Sequence, residues 1–354
     1  EGIAEDEVPT TLDLWPAIRA QIQPRRGSSR RAHRIPVTRL GWAGLLVGAL
    51  LLFGGIAYAL NPALGQVFRT FFPGWQHIEE AHLAQESNLS QAMNGVTVTL
   101  ERAYADANQI VIGYTVKGLA DQNLHVSRMS LTDEQGRVFS QMAGAGMAGT
   151  PDIPPGEGAY VTAFDASVVE DKPESLHLHL TMHLVKWTLV KAPTATLPEP
   201  SEPGVIVAQP QTLREEMVGA PFTFDFSVPF IPGQTVEVQQ AVEAAGVTMK
   251  LKRVVITPSE TRAILCFEPP DDIEWTLLAD LDAGDGGALH GGVVGRLDDA
   301  GGQECHRVSY MESLTGRSGL WTLTVTELVG TDLSQIPSED VRLAGPWVFR
   351  FRVP

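Results

Sequence analysis

Asn94-Gly95-Val96-Thr97-Val98-Thr99-Leu100-Glu101-Arg102 returns as Ala245-Gly246-Val247-Thr248-Met249-Lys250-Leu251-Lys252-Arg253, 151 residues further along the chain. Val96, Val98 and Leu100 alternate with Thr97 and Thr99, the period of two that places one apolar face on a strand. Asp106-Ala107-Asn108 then supplies turn chemistry. A second β-branched run, Ile110-Val111-Ile112-Gly113-Tyr114-Thr115-Val116, follows it. In the later copy Thr257-Pro258-Ser259 stands in the place of that turn.

A closing strand repeats as well. Pro221-Phe222-Thr223-Phe224-Asp225-Phe226-Ser227-Val228-Pro229 matches Pro346-Trp347-Val348-Phe349-Arg350-Phe351-Arg352-Val353-Pro354, with aromatic residues at alternate positions. The two copies predict one module over residues 88–232 and another over 240–354, linked near Ile231–Val242. On this reading the Pro-rich stretch 192–210 is an insertion within the first module. Short strands punctuated by Gly, Pro and Asp predict a mainly β chain built of two antiparallel sandwiches.

Ahead of the modules the composition changes. Residues 1–39 hold 7 Arg against 5 acids, whereas residues 61–354 hold 19 Lys+Arg against 37 acids. Between them Leu40–Leu60 runs 21 residues without a charge. As a helix it would span roughly 31 Å, the thickness of a bilayer's hydrocarbon core. Arg25, Arg26, Arg30, Arg31, Arg34 and Arg39 precede it with no acid among them, which predicts an N-terminus inside and modules outside the cell. Trp42 and Tyr58 fall near its two ends, where amphipathic rings favour the interface. Ala57-Tyr58-Ala59 also fits a signal-peptide cleavage pattern, so a cleaved leader is the alternative to a retained anchor. The chain opens at Glu1, so further N-terminal residues are expected. Leu12, Trp15, Ile18 and Ile22 mark one face of a short cytoplasmic helix. Val67, Phe68, Phe71, Phe72 and Trp75, in the juxtamembrane segment 61–87, are expected at the outer headgroup layer or against the next domain.

The net charge of −16 argues against a nucleic-acid binder. Two cysteines exclude a disulfide-dense scaffold. No nucleophile elbow, Ser-x-x-Lys or His-Glu-x-x-His pattern occurs, so no enzyme, catalytic residue or cofactor is expected.

The stretch NGVTVTLERAYADANQIVIGYTV (94–116) resembles the start of an uncharacterised bacterial ectodomain family. Its members follow a single membrane helix in anti-sigma-factor-like proteins. The second copy, AAGVTMKLKRVVITPSETRAILCFE (244–268), is similar to the immunoglobulin-like module that often follows. Leu14-Trp15-Pro16-Ala17-Ile18 resembles the cytoplasmic end of such proteins. The resemblance implies two tandem immunoglobulin-like β-sandwiches behind one transmembrane helix, in an envelope signalling or sensing protein. Its implied partners are the bilayer, a sigma factor or other cytoplasmic protein, and an extracytoplasmic ligand. The zinc-type His/Cys motif of many anti-sigma domains is absent from this sequence. The alternative is a structural or adhesive surface protein that binds wall polymer or another protein.

Three local features invite a site reading. His177, His179 and His183 share one face of the strand LHLHLTMHL, the spacing of a metal pair, and a solvent-facing polar stripe is the favoured reading. Asp280-Leu281-Asp282-Ala283-Gly284-Asp285-Gly286-Gly287 has calcium-loop composition without the terminal bidentate Glu, and reads as a Gly-rich hairpin. Cys266, in the second strand of the second module, and Cys305 form a candidate disulfide, with two separate buried thiols as the alternative.

Overall fold

The computed structural model describes residues 62–119, 124–150, 153–191, 211–271, 273–284, 287–297, 303–332 and 339–354. The expected cytoplasmic helix, the apolar segment Leu40–Leu60 and the Pro-rich stretch 192–210 lie outside the described residues. Among the described residues no helix is long and apolar enough to cross a membrane. The described chain is mainly β, with two short helices.

Module 1 opens with α1 (Pro62–Phe71) and α2 (Trp75–Glu80). Ten strands follow: β1 (Gln85–Met93), β2 (Val96–Asp106), β3 (Gln109–Lys117), β4 (Leu124–Asp133), β5 (Val138–Phe139), β6 (Gln141–Ala148), β7 (Glu157–Asp165), β8 (Ser175–Lys191), β9 (Gln211–Met217) and β10 (Phe222–Ile231). One sheet runs β1-β2-β3-β7-β6 and the other β5-β4-β8-β10, with β9 beside the far half of β8. Their inward residues, among them Leu100, Ile112, Phe164, Leu180 and Phe224, form one core. The two sheets are not separate layers. A short parallel pairing, Phe230↔Ala105 and Ile231↔Asp106, joins them into a ten-stranded sheet that nearly closes as a barrel.

The helices settle the juxtamembrane expectation. Phe68 stacks on Trp75 with ring centroids 3.6 Å apart, and both pack on Tyr104, Val111 and Val161 of the outer face of the first sheet. A Cβ at Gly113 would meet the Phe68 ring at 2.5 Å, so glycine there seats the helix. These aromatics therefore belong to the module rather than to a headgroup layer, with Phe71 left 44% exposed. Covered on both faces, β3 reads as an almost unbroken apolar run.

Module 2 contains β11 (Gln234–Ala244), β12 (Val247–Ile256), β13 (Thr261–Phe267), β14 (Glu274–Asp282), β15 (Ala288–Leu289), β16 (Val293–Leu297), β17 (Glu304–Tyr310), β18 (Gly319–Asp332) and β19 (Glu339–Val353). Its sheets run β11-β12-β13-β17-β16 and β15-β14-β18-β19, the neighbour order of module 1 repeated except for β9. Leu251, Leu265, Trp275, Trp321 and Phe349 meet in its core.

The repeat reaches further upstream than its sequence signal. Asn94 and Gly95 have φ of 53° and 77°, and Ala245 and Gly246 have 49° and 77°. Each pair is the two-residue, positive-φ turn that joins hairpin strands, here β1 to β2 and β11 to β12. Register shifts recur as well, at Glu86/Leu89 and at Glu237/Gln240. Most of the expected linker Ile231–Val242 is therefore strand β11, leaving only Pro232 and Gly233 between the modules. Module 2 begins at Gln234 rather than 240, β1 begins at Gln85 rather than 88, and Cys266 lies on the third strand of module 2 rather than the second. Lys191 and Gln211 are register partners, so residues 192–210 join the two arms of a hairpin. In module 2 a single strand, β19, takes the place of β9 and β10 together.

Candidate functional site

The two turns that the repeat places in equivalent positions face each other. The described residues fall in one compact unit, and within it the turn after β2 docks on the turn after β12. Asp106 is fully buried. Its Oδ1 accepts the backbone N–H groups of Asn108 and Gln109 at 2.9 and 3.0 Å, which fixes the turn. Its Oδ2 accepts from Tyr104 Oη and from Ser259 Oγ of module 2, both at 2.6 Å. The Asn108 side-chain amide donates towards Val255 O, Thr257 Oγ1 and Glu260 O, at 3.2, 3.2 and 3.3 Å. A buried carboxylate and a buried amide are thus satisfied across the boundary, as such groups must be.

An ion-pair chain continues from this contact. Arg262 of β13, 2% exposed, donates through Nη1 to Asp165 Oδ1 at the end of β7, 2.9 Å away. Its Nη2 lies 2.7 Å from Glu260 Oε1. Arg307 of β17 donates to the other oxygen of Asp165. Burial alone would raise the Asp165 carboxyl, but Arg262, the Ser167 backbone N–H and Arg307 overcome it and hold it below the usual carboxylate range. Burial wins at Glu260, whose carboxyl is pushed up although Arg262 opposes it.

Beside this joint opens a cleft of about 320 Å³. Phe71, Phe72, Met142, Val293 and Met311 give it apolar walls, and Gln109, Glu260, Arg307 and Ser309 supply polar groups. Two sheet edges, β6 and β16, border it. Apolar walls with a few convergent polar groups, one of them the Glu260 carboxyl that burial pushes up, are what a ligand site needs. No serine, cysteine or histidine lies beside a base in the cleft except Ser309, which contributes to the carboxylate network of Glu260.

The histidine stripe lies elsewhere, on β8. His177 Nδ1 is 2.6 Å from Ser227 Oγ, and His179 Nδ1 is 2.7 Å from Asp225 Oδ1, in an open hollow of about 310 Å³. His183 sits opposite Ser127 on β4. Among the described residues no three His, Cys, Asp or Glu side chains converge to hold a metal. Cys266 and Cys305 are joined by a disulfide across the directly opposed strands β13 and β17. Asp282 Oδ1 accepts the Gly284 backbone N–H at 2.8 Å, a local turn contact. Reading the sequence locally marks residues 106–108 and 257–259 only as turns. The repeat marks these turns as equivalent but does not show that they meet; the missed signal was Arg262, a charge inside an otherwise apolar strand.

Residues 31–118 match the model of a domain of unknown function (DUF4179), a span from the basic stretch through the apolar segment to the end of β3. No curated protein matches the chain. The chain is similar at 10% identity to the structure titled the crystal structure of the conserved domain protein from Bacillus anthracis, over 76% of this chain and 91% of that one, with a TM-score of 0.49.

Proposed function

We propose that this chain is a single-pass envelope signalling or sensing protein of the anti-sigma-factor-like kind. Leu40–Leu60 is its transmembrane helix, residues 1–39 act inside, and two immunoglobulin-like sandwiches bind outside. The observation that supports this reading is the path from the apolar segment to the cleft. α1 begins at Pro62, directly after that segment, and its Phe68 is locked into module 1. Phe71 and Phe72, at its end, wall the cleft beside the intermodular joint. A ligand seated there touches α1, the first described element after the apolar segment in the sequence. The uncharged length of Leu40–Leu60 and its arginine flank supply the rest of the argument.

Protease treatment of intact cells carrying a differently tagged N- and C-terminus tests the topology. Loss of the C-terminal tag with survival of the N-terminal tag is expected, and the opposite pattern contradicts the reading. Affinity capture with the full-length protein tests the inside partner. Recovery of a sigma factor that depends on residues 1–39 supports signalling. Recovery of wall polymer alone favours the adhesive alternative.

A further inference from the structure

We propose that β9 is a self-complementary edge through which two copies of this chain pair. β9 hydrogen-bonds to β8 on one side, and among the described residues no strand pairs with its other side. The neighbouring edge is capped: the Gln91 side chain bonds both the N–H and the C=O of Thr223 on β10. Among the described residues β9 has no such cover, and most of its described side chains are open. Leu213 and Met217 are each 55% exposed, and Leu189, directly opposite Leu213 on β8, is 67% exposed. Free strand edges that carry exposed apolar residues are templates for another strand.

The sequence of the strand specifies which partner. Leu213-Arg214-Glu215-Glu216-Met217 reads apolar, cation, anion, anion, apolar. Two antiparallel copies related by a two-fold axis must oppose residues whose numbers have an even sum, since opposed side chains share a face. Centred on Glu215, the pairing sets Arg214 against Glu216 of the second copy twice, and Leu213 against Met217 twice. The one like-charged pair is Glu215 with its own mate. Each of these is already neutralised within its chain, where Arg128 Nε and Nη2 donate to Glu215 Oε2 at 3.0 and 2.9 Å. The neighbouring register, centred on Arg214, opposes two unneutralised like charges. Directly opposed unlike charges and apolar pairs stabilise a sheet, whereas like charges weaken it. The edge thus fits a second copy of itself, and anchoring both copies in one membrane raises their effective concentration.

Sedimentation of the full chain in detergent over a concentration series tests the proposal. A dimer is expected for the parent. R214E opposes two acids and is expected to abolish it, as is E216R. The double variant R214E/E216R restores both pairs and is expected to restore the dimer. Both positions are exposed, and the thermal transition of each variant checks the fold. E215C is expected to cross-link to its mate under oxidation, and L213C to cross-link poorly. A monomer at every concentration, a dimer indifferent to R214E, or failure of the double variant to re-pair overturns the proposal.

Discussion

Arg262 of module 2 and Asp165 of module 1 form a buried ion pair at 2.9 Å, and the guanidinium is shared with Glu260 of its own module. Taking such charges out of water is costly, and the pair contributes only while every partner is present. It serves geometry: three side chains, on β7, on β13 and in the turn before β13, have one arrangement that satisfies them all.

Removing the cation leaves acids stranded in a dry joint. Arg262→Met is expected to destabilise the chain by about 3–5 kcal/mol, the usual cost of breaking a buried pair from one side. Denaturant unfolding measures it. A loss below about 1 kcal/mol would place the pair with exposed ones, which contribute little.

Asn108 offers a neutral test of the same boundary. Its amide donates towards three acceptors on module 2. Asn108→Ala removes these bonds across the boundary, while Glu260 O and Thr257 Oγ1 keep partners within module 2, and is expected to cost about 1 kcal/mol. Ser259→Ala, which removes the hydroxyl donor to Asp106, should fall in the same range by the same measurement.

Acid sensitivity has a separate source in module 2. His306 is 2% exposed and stacks on Phe267, with ring centroids 5.4 Å apart. Neither ring nitrogen has a hydrogen-bond partner among the described residues, although Nε2 lies 3.3 Å from Glu304 Oε1. Burial, and then Arg296, lower its pKa from 6.5 to about 4. The unfolded chain therefore takes up this proton first as pH falls. The contribution is whole above pH 6.5 and is lost on descent towards about 4. The loss amounts to roughly 3 kcal/mol at 1.36 kcal/mol per unit. His306→Phe is expected to flatten the stability profile over that window, and an unchanged slope would contradict the assignment.

The disulfide ties β13 to β17, the strands that carry Arg262 and Arg307. It closes a loop with a sequence separation of 39. In the chain-entropy model, a crosslink of that length stabilises by about 4 kcal/mol. Cys266→Ser with Cys305→Ser is expected to lower stability by that order. Mass analysis of the parent before and after reduction should show two hydrogens gained.

Much of the architecture was legible because it is periodic. Val96, Val98 and Leu100, copied at Val247, Met249 and Leu251, mark matching strands and so the duplication. The first strand of each module was not legible. β1 reads Gln-Glu-Ser-Asn-Leu-Ser-Gln-Ala-Met, with little apolar alternation, because it is an exposed strand bent by a register shift. The joint was invisible for a different reason. Asp106 and Asn108 are ordinary turn residues by composition, and only the docking of one turn on its counterpart buries them. Nothing local to Phe68 indicates that it covers Gly113, since that contact spans 45 positions of the chain.

The buried joint is expected to make the two modules one mechanical body. Scanning calorimetry of the full chain tests it most directly, with Arg262→Met alongside. A single transition with equal calorimetric and van't Hoff enthalpies is expected for the parent, and separation into two transitions for the variant. Two independent transitions in the parent, unchanged by the substitution, would contradict it.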